Sequence, residues 1–286
     1  MKKLFYLLTI PLFFLYPTVN SEPGDLRIIS LAPNTTEILF ALGLENNIVG
    51  VDTFSNYPTE ARKIKKVGSF SQPNVEKILY LKPDLVFTTG LEQTPAVARL
   101  KRFGFKVITI DPIDTEELLK EILKVGKLTD RKEEAEALVN SMQDEISRIK
   151  NAISVIPQAS RPKVYLEIWH SPIMTCGKGS YLDELISLAG GINIAQDAPR
   201  QFSRFSEELI INRSPDIIIL CYMQAGKVLD KIYGRYGWQN INAVKTGRVY
   251  NDINPDILLR PGPRVIEALR SLEKHFSIYG KNLAKK

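Results

Sequence analysis

The sequence predicts an α/β protein of two similar lobes, each built on a central parallel sheet, joined by a single long helix, with a ligand cleft between the lobes. Apolar runs typical of buried strands alternate with helical patterns in both halves of the chain. A stretch rich in helix formers and without a strand pattern separates the halves. The two halves also repeat the same motifs in the same order, which indicates two related lobes.

The first predicted lobe, residues 22–114, begins with the apolar run LRIISLAP, which ends in a turn and is typical of a buried strand. In the next segment, NTTEILFALGL, Asn34 or Thr35 can cap a helix and Gly43 can end it. The remaining predicted elements are the strand NIVGVD, a helix near Glu76, the strand DLVFTT, a helix from about Gln93 to Phe103, and the strand KVITID. Because helices separate these strands, we expect a parallel sheet.

The connecting segment, residues 115–158, has helical periodicity alone. Its apolar residues recur at the spacing of one helix face: Ala135, Leu138, Met142, Ile146, Ile149 and Ile153. This pattern predicts one long helix within residues 130–156, and the prolines of PQASRP end it.

The second predicted lobe, residues 159–286, returns to the alternation of strands and helices. Its predicted elements are the strand KVYLEI, the helix YLDELISLAGG, a helix near Glu208, the strand DIIILCY, a helix near Lys227 to Tyr233, the strand GRVYND, and a closing helix from about Pro263 to Ile278. We therefore expect a second parallel sheet, covered by helices like the first.

Two motifs recur between the lobes. The segment from Glu76 to Pro83 matches the segment from Glu208 to Pro215, 132 residues later, and each is followed by Asp and an apolar run. TEILFALGL likewise matches DELISLAGG, so that Glu37 corresponds to Glu184. Ordinary helix signals could explain either match alone, because Glu is favourable in a first turn and Pro-Asp suits a turn. Their common order favours a duplicated lobe.

The N-terminal residues 1–21 have the pattern of a cleaved secretory signal peptide, with two lysines before a short apolar run. The alternative, a membrane anchor, fits less well because Pro11 and Pro17 interrupt the run. No Cys follows the run to carry a lipid, so we expect an exported, soluble protein that is not a lipoprotein.

Composition excludes some classes of function. The chain is 44% hydrophobic and 24% charged without a charge block, and its net charge of +6 is too small and too scattered to predict binding to nucleic acid. Cys176 and Cys221 could form a disulfide in an oxidising compartment, but we favour two small buried hydrophobic side chains.

Motifs for catalysis are missing from the sequence: it has no nucleophile elbow, phosphate-binding loop, dinucleotide fingerprint or C-x-x-C pair. The two histidines are His170 and His275, and we expect His275 to lie on the surface of the last helix. An exported two-lobe protein of this kind is predicted to be a carrier, without enzymatic activity, resident metal or cofactor. The alternative class is an extracytoplasmic hydrolase that uses His170.

Four segments carry a resemblance to a known family: RIISLAPNTTEILFALGL, VGVDTFSNYP, VGSFSQPNVEKILYLKPDLVF and LRPGPRVIEALRSLEKHF. They resemble the class III periplasmic binding proteins of ABC importers, which carry siderophores, haem and cobalamin, and most of all the cobalamin carriers. The resemblance covers essentially the whole chain after the signal peptide. It implies a periplasmic monomer that carries a cobalamin-type corrinoid as cargo to a permease dimer with ATPase subunits. An iron-siderophore or haem carrier of the same fold is the alternative.

The resemblance also assigns a role to the repeated glutamates. In that family a surface Glu on each lobe docks onto arginines of the permease, and the matching positions here are Glu76 and Glu208. A permease dimer with two-fold symmetry would bind matched charges on two related lobes. The alternative is two ordinary carboxylates in first turns of helices.

Candidate ligand-binding residues follow the predicted strands, where loops would face the cleft. A corrinoid is a wide, largely apolar ring with amide side chains, so we expect aromatic walls with a few polar groups. The candidates are Phe54, Tyr57, Phe70, Thr89, Trp169, His170, Met174, Phe202, Phe205, Tyr222, Asp256 and Arg260.

For five of these candidates the resemblance implies a ligand contact: Phe54, Phe70, Phe202, Asp256 and Arg260. The chain departs from the family pattern at Thr89, where an aromatic residue is expected. The alternatives are core packing for the aromatic rings and mutual pairing for Asp256 and Arg260. An anionic iron complex would instead need several arginines, which the loops offer at Arg200, Arg204 and Arg260.

Overall fold

The computed structural model describes residues 26–69, 71–90, 95–222 and 228–283, so the predicted signal peptide and Phe70 lie outside the described residues. The first lobe contains β1 (Ile28–Ser30), α1 (Pro33–Ala41), β2 (Ile48–Val51), α2 (Val75–Leu81), β3 (Leu85–Thr88), α3 (Pro95–Arg102) and β4 (Lys106–Thr109). Its four strands pair in the order β2-β1-β3-β4, and every pairing is parallel, as predicted.

Two helices connect the lobes: α4 (Thr115–Leu128) and α5 (Lys132–Ser154). The predicted long helix is α5, a helix of 23 residues without Gly or Pro. It buries Ala135, Val139, Met142, Ile146 and Ile149. One apolar cluster includes this face of α5 together with strand residues of both sheets, so the connecting helix is part of a core that the two lobes share.

The second lobe contains β5 (Lys163–His170), β6 (Ile173–Cys176), α6 (Tyr181–Leu188), β7 (Ile192–Asn193), β8 (Phe202–Arg204), α7 (Glu207–Arg213), β9 (Ile217–Leu220), α8 (Val228–Tyr233), α9 (Asn242–Lys245), β10 (Val249–Tyr250), α10 (Pro255–Leu259) and α11 (Val265–Leu283). Parallel pairing gives the order β7-β5-β9-β10, the same order as in the first lobe. Strands β6 and β8 add an antiparallel extension to β5 that we did not predict.

The repeated motif is confirmed as a repeated structure. Asn74 caps α2 and Ser206 caps α7, and each side chain accepts a backbone N–H from the third residue of its helix. Each helix ends in a left-handed residue before the Pro-Asp pair. Asp84 then accepts the N–H of Arg27 at 2.8 Å and Asp216 accepts that of Lys163 at 2.9 Å. In both lobes the aspartate therefore anchors the start of the first strand.

The glutamates of the second repeated motif connect neighbouring parts of the molecule. Glu37, on α1, accepts two bonds from the Arg264 guanidinium, at 2.8 and 2.5 Å. Glu184, on α6, accepts the backbone N–H and the hydroxyl of Thr115 at 2.7 and 2.8 Å. These contacts attach the first lobe to the segment before α11, and the second lobe to the start of α4.

The surface position predicted for His275 is wrong. The residue is 6% exposed, its ring stacks on Tyr250 at 4.0 Å between centroids, and its Nε2 lies 3.1 Å from Asp252. Burial lowers the pKa of this histidine. Cys176 and Cys221 are both buried and unpaired, as favoured, and burial raises the pKa of Cys176 to about 12. Within the described residues, no helix has the length and apolarity needed to cross a bilayer.

Candidate functional site

The carboxyl ends of the four strands of the first sheet lie at the edge of a cavity of about 510 Å³. Each strand of that sheet is followed by a residue on the cavity wall: Ala32 after β1, Phe54 after β2, Thr89 after β3 and Asp111 after β4. The facing wall is the turn between α10 and α11, with Leu259, Arg260 and Pro261. The cavity therefore lies between the first sheet and a segment of the second lobe, where the sequence predicted a cleft.

A buried polar network holds Phe54, whose side chain is 45% exposed. The backbone N–H of Phe54 donates to Asp52 Oδ2 at 2.8 Å, and the Ser55 hydroxyl donates to Asp52 Oδ1. Ser55 in turn shares a hydrogen bond of 2.8 Å with Thr36 on α1. Burial raises the pKa of Asp52. The network fixes the turn and directs an apolar ring toward the cavity.

Tyr57 has a partner outside its own loop. Its ring is 43% exposed and lies under the Arg264 guanidinium, 3.9 Å from the ring centroid. Since Arg264 also pairs with Glu37, Tyr57 belongs to the contact between the lobes. This position gives the ring a cation–π role in the fold in addition to its predicted place near the ligand.

Asp256 and Arg260 pair with each other at 2.8 Å, which was the alternative considered for them. Both also bind Asn56 of the first lobe: Arg260 Nη1 donates to Asn56 Oδ1 at 2.7 Å, and Asn56 Nδ2 donates to Asp256 Oδ2 at 3.1 Å. Glu37 lies 3.8 Å from the same guanidinium. The positive charge of Arg260 is therefore compensated by two carboxylates where it lines the cavity.

Thr89 meets a residue that sequence analysis missed. Its hydroxyl donates to Asp111 Oδ1 at 2.8 Å, and both residues line the cavity. Asp111 closes the predicted strand KVITID, so applying the rule that loops after strands face the cleft to the fourth strand would have found it.

The aromatic side of the second lobe forms at the ends of β5 and β9. The Trp169 ring is 40% exposed, and its indole N–H donates to the carbonyl of Ser171 at 2.9 Å. The exposed His170 ring lies 5.5 Å from the Trp169 ring and 5.6 Å from the Tyr222 ring. Half-buried Met174 lies opposite Trp169 on β6. The structure thus brings together four of the predicted residues.

The two phenylalanines near β8 have different surroundings. Phe202 is 50% exposed, whereas Phe205 is 8% exposed and stacks on Tyr165 at 6.4 Å. The Arg213 guanidinium covers the Phe205 ring at 5.3 Å. Phe205 therefore belongs to the core of the second lobe, which favours the alternative of core packing, and its ligand contact stays a prediction. Side chains alternate along a strand, and the sequence did not reveal this strand.

A buried ion pair positions Tyr222. Glu167 is fully buried on β5 and accepts two bonds from the Arg235 guanidinium, both at 2.7 Å. The Tyr222 hydroxyl also bonds to this carboxylate, and burial raises the pKa of the tyrosine. A Glu inside the apolar strand KVYLEI was the available signal, because a buried charge requires a partner.

The predicted docking glutamates are exposed in the first turns of α2 and α7. Glu76 borders a surface depression of about 470 Å³ together with Pro95 and Arg99. Glu208 borders one of about 740 Å³ together with Ile211 and Tyr236. Each lobe therefore presents its carboxylate beside a concave surface.

Comparison with known proteins places this architecture in a family. Residues 28–254 match the family model described as periplasmic binding protein. A Bacillus subtilis relative, the uncharacterized ABC transporter substrate-binding lipoprotein YvrC, is 35% identical over 267 residues, which cover 92% of this chain and 82% of that protein.

Two solved structures show the same fold. The periplasmic vitamin B12 binding protein BtuF of Vibrio cholerae has a TM-score of 0.77 and 27% identity over 89% of this chain and 98% of its own. The periplasmic heme-binding protein RhuT from Roseiflexus has a TM-score of 0.78 and 26% identity over 90% of this chain and 100% of its own. These matches confirm the predicted two-lobe α/β fold class. Since the family model spans most of the chain, this protein belongs to the periplasmic binding protein family.

Proposed function

We propose that this protein binds a cobalamin-type corrinoid in the cleft between its lobes and delivers it to the permease of an ABC importer. Substrate-binding proteins of ABC transporters work with permease and ATPase components, and the similar proteins described above are a substrate-binding lipoprotein and periplasmic binding proteins. The proposal includes export by cleavage of residues 1–21 and action as a monomer. The corrinoid is cargo in this proposal, and we expect the chain to need no cofactor of its own.

The compensated charge of Arg260 carries the proposal for the ligand. Among the described residues that line the cavity, Arg260 is the one cation, and Asp256 and Glu37 both neutralise it. A largely apolar cavity without a free cation is better suited to a ring that carries neutral amide side chains than to a ring that carries carboxylates. The vitamin B12-binding relative and its similar fold support this choice.

A haem or iron-siderophore carrier is the second candidate, and one observation favours it. Arg200 and Arg204 are exposed on either side of Phe202, and no ion pair to them is found among the described residues. Two free guanidinium groups beside an exposed ring could bind the carboxylates of haem. The similar haem-binding structure is consistent with this alternative.

Docking to the permease is proposed to use Glu76 and Glu208. The support is their exposure at equivalent positions of two lobes with the same topology, each beside a depression that a protruding side chain could enter. Two matched charges would set the orientation of the complex on a two-fold partner.

The test is co-elution of ligand during gel filtration. The protein is mixed with cyanocobalamin, haemin or a ferric hydroxamate, and the visible spectrum of the protein peak is recorded. We expect a corrinoid spectrum at a ratio near one to one. A peak that carries haemin or the ferric complex, but no corrinoid, would overturn the ligand assignment and leave the family assignment intact.

A further inference from the structure

Asp111 places an open carboxylate on the cavity wall. Its Oδ1 accepts the Thr89 hydroxyl at 2.8 Å, and the residue is exposed at the carboxyl end of β4. Among the described residues no Lys or Arg lies within ion-pair distance of it, whereas Asp256 pairs at 2.8 Å with Arg260, which lines the facing wall of the cavity. The Asp111 carboxylate therefore keeps lone pairs for an additional hydrogen-bond donor.

The absence of a side chain at Gly90 leaves room for this carboxylate. A β-carbon built on Gly90 would sit 1.9 Å from Asp111 Oδ2, which is far inside contact distance. The carboxylate thus rests directly against a backbone without a side chain, and Thr89 holds its other oxygen. The aromatic residue expected at position 89 would lack the short hydroxyl that donates to Asp111 Oδ1. The Thr at this position, which departs from the family pattern, therefore accounts for the orientation of Asp111.

We propose that Asp111 is a specificity-determining residue of the cleft, which accepts a hydrogen bond from a primary amide of a corrinoid side chain and opposes ligands that present a carboxylate. This inference rests on the proposed function and names the ligand group that this wall selects. A carboxylate acceptor binds an amide N–H strongly. The same charge repels an anionic group that lacks a cation beside it.

The experiment measures the dissociation constants of cyanocobalamin and haemin for the wild-type protein and three variants. Asp111→Ala is expected to weaken cyanocobalamin binding by about tenfold, since the acceptor is lost. Asp111→Asn keeps an acceptor oxygen but loses the charge. It should therefore weaken cyanocobalamin binding less than Asp111→Ala does, and strengthen haemin binding roughly several-fold. Asp144→Asn, an exposed change on α5, is the matched control and should alter neither constant.

Opposite responses to the two ligands separate a specificity role from a general effect on folding, which would weaken both. Unchanged constants for both ligands in Asp111→Ala would overturn the inference. If the wild-type protein binds haemin and no corrinoid, the proposed function fails, and the inference about charge stands only if Asp111→Asn tightens haemin binding. If it binds neither ligand, both proposals fail.

Discussion

The two lobes share one order of parallel strands, but only in the second lobe does the first strand continue past its parallel neighbours and pair with an antiparallel strand. The order β2-β1-β3-β4 of the first lobe corresponds to β7-β5-β9-β10 of the second. However, β1 has three residues and β5 has eight, and the additional length of β5 pairs with β6. The antiparallel pair that β5 forms with β6 carries the predicted ligand residues Trp169 and Met174, and the first lobe has no counterpart to it among the described residues.

Two buried acids, Asp52 in the first lobe and Glu167 in the second, are held by different kinds of partner. Asp52 in the first lobe is satisfied by a hydroxyl and a backbone N–H, while Glu167 in the second is paired with the Arg235 guanidinium. Burial disfavours the charged form of Asp52 more than its neutral hydrogen-bond donors favour it, so the pKa of Asp52 is raised. Glu167 therefore uses a full ion pair to fix the ligand-side Tyr222, whereas Asp52 is held only by hydrogen bonds from neutral donors.

The largest expected effect separates these two arrangements. Glu167→Gln should lower the free energy of unfolding by about 3–5 kcal/mol, because it leaves the buried Arg235 charge without its partner. Asp52→Asn should cost about 1 kcal/mol, because the amide oxygen can accept from the Phe54 N–H and the amide N–H can donate to the Ser55 hydroxyl, which is able to accept. Urea unfolding at neutral pH, followed by tryptophan fluorescence, measures both. Equal losses of unfolding free energy in the two variants would contradict the distinction between the two acids.

The second prediction tests whether the lobes dock equivalently. The double change Glu76→Ala with Glu208→Ala should weaken docking to the permease by about 2–5 kcal/mol and leave ligand affinity intact. Uptake by reconstituted permease should fall sharply, and salt should reduce the difference from wild type. Glu133→Ala is the control, because Glu133 is an exposed first-turn glutamate of α5. Full uptake in the double variant would show that the repeat records only duplication of a fold.

The third prediction compares the aromatic walls. Phe54→Ala in the first lobe and Phe202→Ala in the second should each weaken corrinoid binding by about 1–3 kcal/mol through loss of apolar contact. Phe103→Ala is the matched control, because this ring is 55% exposed beyond α3, at the opposite edge of the first sheet. Calorimetric titration measures the three variants. Wild-type affinity in Phe202→Ala alone would assign the ligand to the first lobe.

The smallest expected effect concerns the helix that joins the lobes. Glu145 on α5 accepts bonds from Arg148 and from Arg270 of α11, and these bonds lower its pKa from 4.5 to about 2. A depressed pKa stabilises the folded state above pH 4.5, and that contribution is lost as the pH falls toward 2. Glu145→Gln should therefore lower the melting temperature slightly at neutral pH and low salt.

Melting curves of Glu145→Gln and wild type should converge between pH 4.5 and 2, the range over which the wild-type carboxylate loses its charge. The control is Asp144→Asn on the same helix, which should leave the melting temperature unchanged at every pH. A difference between Glu145→Gln and wild type that stays constant down to pH 2 would assign the effect to packing instead of charge.

Most elements could be predicted because their signals are local. The apolar face of α5 depends on residues close in sequence. The cap predicted at Asn34 or Thr35 was wrong, because α1 begins at Pro33 and its N-cap residue is Ala32, which makes no side-chain capping bond. Strand β8 has three residues and no apolar run, so it was missed, and with it the alternation that buries Phe205. Arg235 could not be matched with Glu167 because 68 residues separate them.

Alone, the sequence determined the two lobes, the long connecting helix and the repeated motifs, since these follow from periodicity and local turn and helix signals. The family followed from a resemblance carried by four segments of the sequence. Tertiary structure decided which side chains meet. It directed Phe202 outward and Phe205 inward, joined Arg260 to Asn56 of the other lobe, and brought Thr89 to Asp111. Contacts between distant residues depend on how the strands are ordered in space, and burial of an apolar surface fixes that order without prescribing individual polar pairs.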